Sequence, residues 1–176
     1  NGWTVLPAAT TLSVGLTHPD GERTFFTMRG HLPAMGWDAL APQLEGFADG
    51  LLLLCGSFLT DQLAADYPAI FAWAAERRID LALDPGWPPQ GWTDTQRERA
   101  KGWLAATHHL LINEAEALAL TGTATIDSAL SALTALMPDG GTAVIKTGPR
   151  GAVARRGGDS AVAKAPNVRV IDTIGA

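Results

Sequence analysis

Three short segments of the chain hold residue types that could do chemistry. Asn113-Glu114-Ala115-Glu116 puts an amide and a carboxylate three positions apart, which in the first turn of a helix brings them to one face. Oxygens so placed can orient the water shell of Mg²⁺, a hard cation that keeps several of its waters. The same Asn-x-x-Glu spacing also makes a capping box with no ligand involved, and both readings stay open. Lys146-Thr147-Gly148-Pro149-Arg150-Gly151 follows an apolar run, and its glycines let backbone approach a flat or anionic ligand. It lacks the Gly-Lys-Ser/Thr of a Walker A loop, and Gly-x-x-Gly also forms plain tight hairpins. Asp172-Thr173-Ile174-Gly175-Ala176 sets small residues after a strand; a helix following them would aim free backbone N–H groups at an anion. An ordinary strand-to-helix turn has the same appearance.

Other reactive residue types read as structural. His108 and His109 are adjacent, so on a strand they point to opposite faces, and no third metal ligand is evident. Cys55, behind Leu51-Leu52-Leu53-Leu54, reads as a buried small hydrophobe. Ser57 lacks the Gly-x-Ser-x-Gly elbow of a hydrolase. Of the six tryptophans, most serve packing; Trp87 and Trp92, in the loop after Asp84-Pro85-Gly86, could instead shield a ligand.

The elements that must position these residues follow from periodicity. Thr11–Leu16 and Arg23–Met28 flank His18-Pro19-Asp20-Gly21 and read as a hairpin. Helical spacing runs from Trp37 to Phe47, and Leu51–Cys55 reads as a buried strand. A helix from Asp61 puts Leu63, Tyr67, Ile70, Phe71 and Ala74 on one face and ends at Arg77-Arg78. Strand Ile79–Leu83, helix Asp94–Thr107, strand His109–Ile112, a helix from Asn113 to Gly122 and helix Ile126–Met137 come next. Strands at Ala143–Lys146, Ala152–Arg155, Ala161–Lys164 and Val168–Ile171 complete the pattern. Alternating helix and buried strand means parallel strands joined by right-handed crossovers, hence a layered α/β sheet. Ligands of such sheets sit outside the carboxyl ends of the strands, where all three segments lie.

Composition narrows the function classes. The chain has 176 residues, 47% hydrophobic and 18% charged, enough for a sizeable core. Thirteen basic residues against 18 acidic ones give a charge of −5, and the basic residues are scattered; a nucleic-acid footprint is not expected. One cysteine excludes an internal disulfide or a cysteine zinc cluster. The longest apolar run, Leu51–Cys55, falls far short of the roughly 20 residues that span a bilayer. A cytoplasmic protein is expected. The sequence lacks a starting Met and stops at a strand-to-turn junction, as an internal piece of a longer chain would.

Taken in order, the three segments resemble the signatures of the ribokinase-like (PfkB) carbohydrate kinases. Asp172-Thr173-Ile174-Gly175-Ala176 is similar to the first five positions of the family's Asp-Thr-Thr-Gly-Ala-Gly-Asp signature, with Ile174 for the usual Thr. Asn113-Glu114-Ala115-Glu116 matches its Asn-x-x-Glu motif, and Lys146–Gly151 resembles its nucleotide-side Lys/Thr-x-Gly-x-x-Gly segment. Gly21-Glu22-Arg23-Thr24-Phe25 resembles the lid hairpin, and Asp84-Pro85 the Asp-x-Asn strand end, with Gly86 in place of Asn. The family's N-terminal strands and Gly-Gly-Asn signature have no counterpart, nor do the final Gly-Asp, whose Asp is the family's catalytic base. The resemblance implies a ribokinase-like α-β-α fold, its sheet mostly parallel, with a lid-type β segment over residues 1–35 and a partial nucleotide- and substrate-binding core over 36–176.

It further implies transfer of the ATP γ-phosphoryl to a hydroxyl, usually a CH₂OH, of a sugar or sugar acid. Gly175 and Ala176 would begin the anion hole. Asn113 and Glu116 would hold Mg²⁺ through water, Asp172 a monovalent cation such as K⁺, and Lys146, Thr147, Gly148 and Gly151 would lie along the nucleotide. Met28, Arg29 and His31 are the substrate-side candidates, and the lid offers a face for homodimerisation. No nucleic-acid or membrane partner is implied. Two alternatives stay open: a kinase-like binding or regulatory domain without catalysis, and a nucleoside or vitamin kinase of the same family. Sugar is preferred because the Gly21–Phe25 segment is most similar to that of fructokinases and ketodeoxygluconate kinases.

Overall fold

A computed structural model describes residues 5–19 and 23–168. Gly175, Ala176 and Asp172, and most of the Val168–Ile171 strand, lie outside the described residues.

Two sheets form. A hairpin pairs β1 (Leu12–Thr17) antiparallel with β2 (Arg23–Met28), Leu12 opposite Met28 and Val14 opposite Phe26. Opposed side chains share a face, so Leu12, Val14, Phe26 and Met28 line one side of the hairpin, all of them exposed.

The second sheet has six strands in the order β3-β4-β5-β6-β7-β8. Four are parallel: β3 (Leu51–Cys55), β4 (Asp80–Asp84), β5 (His109–Asn113) and β6 (Thr142–Lys146). Strands β7 (Ala152–Arg156) and β8 (Asp159–Ala163) continue antiparallel. Each parallel step is a helical crossover: α2 (Asp61–Ala65) and α3 (Tyr67–Glu76), then α4 (Asp94–Leu104), then α5 (Glu114–Thr121) and α6 (Ile126–Thr134). The mostly parallel α/β sheet with a leading hairpin is the expected architecture.

Helices and sheet close on Tyr67, Ile70, Leu83, Leu104, Leu110, Ile112, Leu120, Leu130, Leu133 and Ile145, each at most 2% exposed. The aromatic centre is Phe58, Tyr67, Trp92 and Trp103, with ring centroids 5.1 to 5.4 Å apart in their contacts. Inside it the Ser57 and Tyr67 hydroxyls share a 2.8 Å hydrogen bond, and burial raises the Tyr67 pKa.

Several elements differ from the sequence expectation, each for a local reason. Helix α1 covers only Trp37–Leu40, and a 3₁₀ turn at Ala41–Leu44 replaces the rest, because Pro42 removes an amide donor. The helix expected from Asp61 is two helices, broken at Asp66 just before Pro68. The Asp66 carboxylate at the break accepts the Trp37 N–H at 2.8 Å, tying α1 to the junction. Strand β3 is buried on one face only. Leu51 and Leu53 are 55% and 49% exposed and Cys55 is exposed, so the thiol is not the core residue that its neighbours suggest. Alternation explains it: Leu54 packs inward on the helices, while no described element covers the other face at this end of the described sheet. The histidines also depart from opposite faces, because His108 precedes the strand. Their Nε2 atoms lie 4.0 and 3.8 Å from the two oxygens of Asp80, and His108 Nδ1 accepts the Leu81 N–H. No cluster of three or more metal-ligating groups occurs among the described residues. Strand β8 begins at Asp159, two positions earlier than its periodicity indicates, because the Arg156-Gly157-Gly158-Asp159 turn is tight.

Candidate active site

The carboxyl ends of β4, β5 and β6 are Asp84, Asn113 and Lys146, three neighbouring strand ends of the kind that hold ligands in open α/β sheets. Asn113 caps α5: its Oδ1 accepts the Glu116 N–H at 2.8 Å, and Glu116 Oε2 accepts the Asn113 N–H at 3.1 Å. The capping box is therefore formed. The box engages Glu116 Oε2 and Asn113 Oδ1, and the Asn113 side chain also stabilises the Glu116 carboxylate. Glu116 is 5% exposed. Burial pushes its pKa up and nearby Asp84 adds to this, while the Asn113 N–H, Lys146 and the Asn113 side chain oppose it.

A cavity of about 430 Å³ opens beside this corner, lined by Asn113, Glu114, Ala115, Leu118, Lys146, Thr147 and Gly148. The first N–H groups of α5, which have no intrahelical acceptor, belong to this wall, and the helix dipole favours negative charge there. A second cavity, of about 470 Å³, includes Gly140, Gly141, Gly157 and Gly158 and so sits at the amino ends of the parallel strands. The strand-end rule selects the first.

The Lys146–Gly151 segment divides into two roles. Gly148 has φ +60 with open space where a side chain would stand, and it lines the cavity. Thr147 is 7% exposed, and its N–H and hydroxyl both donate to the Gly151 carbonyl, at 2.8 and 2.9 Å. Thr147 thus fixes the turn from inside. Gly151 has φ +103, and a Cβ there would lie 1.9 Å from the Ala163 carbonyl oxygen, so the crossing of this loop over β8 admits only glycine. Gly151 does not line the cavity. Lys146 Nζ reaches Asp84 Oδ2 at 2.7 Å, and Arg150 pairs with Glu114. Neither pairing was legible in the sequence, where the partners stand 62 and 36 positions apart; basic and acidic residues ending nearby parallel strands were the available signal.

The substrate-side candidates lie at the foot of the hairpin. Met28 is 53% exposed on its apolar face. Arg29 pairs with Asp61 at 2.7 Å and donates to the Leu59 carbonyl at 2.7 Å. His31 Nδ1 lies 3.3 Å from the Thr11 hydroxyl, which donates to the Arg29 carbonyl. Arg29 and His31 therefore join the two legs of the hairpin to each other and to the core. Of the two loop tryptophans, Trp92 is buried against Phe58, while Trp87 stays half exposed.

The profile of the pfkB family carbohydrate kinases matches residues 7–176. Solved structures share the fold. An adenosine kinase from Sinorhizobium meliloti superposes with a TM-score of 0.77 at 19% identity, covering 93% of this chain and 49% of its own. A ribokinase from Giardia lamblia gives 0.75 at 17% identity over 96% and 52%. A fructokinase double mutant from Vibrio cholerae O395, solved with fructose, ADP and potassium ion, gives 0.67 at 20% identity over 91% and 52%. The chain thus spans about half the length of these relatives. With a profile match that runs from before the hairpin to the last residue, the chain belongs to the pfkB family of carbohydrate kinases.

Proposed function

We propose that the protein carrying this chain transfers the γ-phosphoryl group of ATP to a hydroxyl, a CH₂OH where the acceptor has one, of a sugar or sugar acid. The observation that carries the reading is the convergence of Asn113, Glu114, Lys146 and Gly148 on one cavity at the carboxyl ends of neighbouring parallel strands, in a chain of this kinase family.

Lys146 and Gly148 line the nucleotide side of the cavity in this reading, with the polyphosphate toward the first turn of α5. Glu116 suits Mg²⁺ held through water: Oε1 is a hard oxygen that the capping box does not engage, and the box fixes the carboxylate's orientation. When bound, the ion neutralises charge on the phosphates. Gly175 and Ala176 are proposed as donors to the transferring group and Asp172 as a K⁺ ligand, outside the described residues. The acceptor oxygen forms a bond to the γ-phosphorus, the bond to the β-phosphate oxygen breaks, and ADP leaves. The hydroxyl proton passes to the carboxylate that, by family resemblance, follows Ala176. Met28, Arg29 and His31 face the acceptor from a lid formed within residues 1–35, and the lid's apolar face receives a second copy of the chain.

An acceptor panel tests this. The full-length protein is given ATP and Mg²⁺ with fructose, ribose, ketodeoxygluconate or adenosine, ADP is measured, and the product is located by phosphorus NMR. Turnover on a sugar or sugar acid supports the reading. Turnover on adenosine alone moves the acceptor to nucleosides, and ATP binding without turnover on any acceptor refutes catalysis on this panel. Sedimentation of the protein with and without Phe26→Asp reads out the lid contact.

A further inference from the structure

Lys146 lines the β5–β6 cavity and Arg150 is tied to its wall through Glu114, and each cation is held by a carboxylate from a different element. Lys146, the last residue of β6, lies in register with Asn113 of β5. Its side chain extends past the end of β5 to Asp84, the last residue of β4. Lys146 lines the cavity and Asp84 does not, so the ammonium is drawn toward a partner off the cavity wall. Arg150, in the 3₁₀ turn at Gly148–Arg150, pairs with Glu114, the first residue of α5. Both pairs are open to water: side-chain exposure is 47% and 31% for Lys146 and Asp84, and 65% and 34% for Arg150 and Glu114. Solvent-exposed pairs separate at little cost, so neither cation is locked in place. The four formal charges sum to zero, which leaves this corner weakly attractive to a small monovalent anion.

We propose that Asp84 and Glu114 are internal counter-ions for Lys146 and Arg150, and that a nucleoside polyphosphate displaces both carboxylates and takes over both cations. The inference rests on the kinase reading and adds to it a device that distinguishes polyphosphates from ligands with a single charge. Only a ligand bearing several adjacent charges can engage two cations at once and replace both carboxylates.

The test is calorimetric titration of the full-length protein with ADP in the presence of a chelator, with adenosine as the phosphate-free control. Asp84→Asn and Glu114→Gln should each tighten ADP binding by about two- to fivefold, the range an exposed ion pair represents, and leave adenosine binding unchanged. The tightening should vanish when Asp84→Asn is combined with Lys146→Met, and when Glu114→Gln is combined with Arg150→Met. Equal ADP affinity in the native protein and both carboxylate variants overturns the counter-ion role while leaving the kinase reading intact. Tightening that persists without Lys146 or Arg150 also overturns it, because general charge repulsion then suffices. Failure of the native protein to bind ADP at all sinks the kinase reading itself. Should Asp84→Asn not fold, the Glu114 and Arg150 variants give the same decision.

Discussion

Glu116→Gln separates the two uses of one carboxylate. The capping contact from the Asn113 N–H to Glu116 Oε2, at 3.1 Å, survives as a neutral hydrogen bond to the glutamine oxygen, so the lost charge-assisted part is on the order of 1 kcal/mol or less. Against this loss, the buried charge disappears, and burial is the largest cause of the raised Glu116 pKa. The two effects oppose each other, and net stability near neutral pH should change by less than about 1 kcal/mol. The pH dependence has a definite sign. Because the folded pKa lies above the ordinary value of 4.5, the folded protein keeps a proton that the unfolded chain has already released. Glu116 therefore contributes stability that is present below pH 4.5 and lost as pH rises through its folded pKa. The glutamine variant lacks this slope, and its stability relative to the native protein improves across that window. Catalysis should move the other way: loss of the charged oxygen lowers kcat ten- to a thousandfold, or about 1.4–4 kcal/mol of barrier. The assays are urea unfolding of the full-length protein at several pH values from 4 to 8 and a coupled ADP-release assay. Unchanged kcat with a stability loss of 2 kcal/mol or more, independent of pH, would show that Glu116 is only a cap.

Further substitutions test other parts of the site. Gly151→Ala should destabilise by about 3 kcal/mol or more, since its φ of +103 and the 1.9 Å approach to the Ala163 carbonyl both resist a side chain. Gly148→Ala, with φ +60 and open space, should cost only about 1 kcal/mol; equal unfolding midpoints for the two variants would contradict the geometry. Arg29→Met should raise hydrogen–deuterium exchange across Leu12–Met28 by freeing the hairpin from Asp61 and Leu59, and unchanged exchange there would remove Arg29 from its anchoring role. Tyr67→Phe should cost about 1–2 kcal/mol by stranding the buried Ser57 hydroxyl. The double variant with Ser57→Ala should recover part of that loss, as read from denaturation midpoints.

Local signals carried much of the fold. Alternation of apolar strands with helical spacing located the parallel sheet, and Asn113 and Glu116 announced the start of α5 three residues apart. Failures came where the deciding partner was distant or missing from the local pattern. The apolar stretch Leu51–Cys55 looks buried in isolation, but burial depends on what covers each face, and among the described residues only the inward face is covered. The thiol of Cys55 follows the outward face. Pro42 and Pro68 were visible, yet their effect depended on where the chain had already turned. At the site, residue types and strand ends could be named, whereas the Lys146–Asp84 and Arg150–Glu114 pairings required the sheet to be assembled first. Thr147 illustrates the remaining gap: its position in the motif points outward to a ligand, while its hydroxyl serves the Gly151 carbonyl.

The order of the six-stranded sheet follows the order of the chain without exception, and this bears on how the molecule is made. Among the described strands of this sheet, each from β4 onward pairs with the strand just before it, so none of these pairings waits for a remote part of the polypeptide. The closest contacts in sequence are the antiparallel β6-β7-β8 meander, where loop-closure entropy is smallest. The parallel steps each require a whole crossover to be in place. Assembly should therefore begin at the meander and spread strand by strand toward β3. During synthesis, by contrast, β3 emerges before β4 and must wait for it. Pulse-labelling exchange during refolding should protect Ala143–Val153 amides before those of Leu52–Leu54, and the reverse order would show that collapse around the aromatic centre, rather than chain proximity, sets the route.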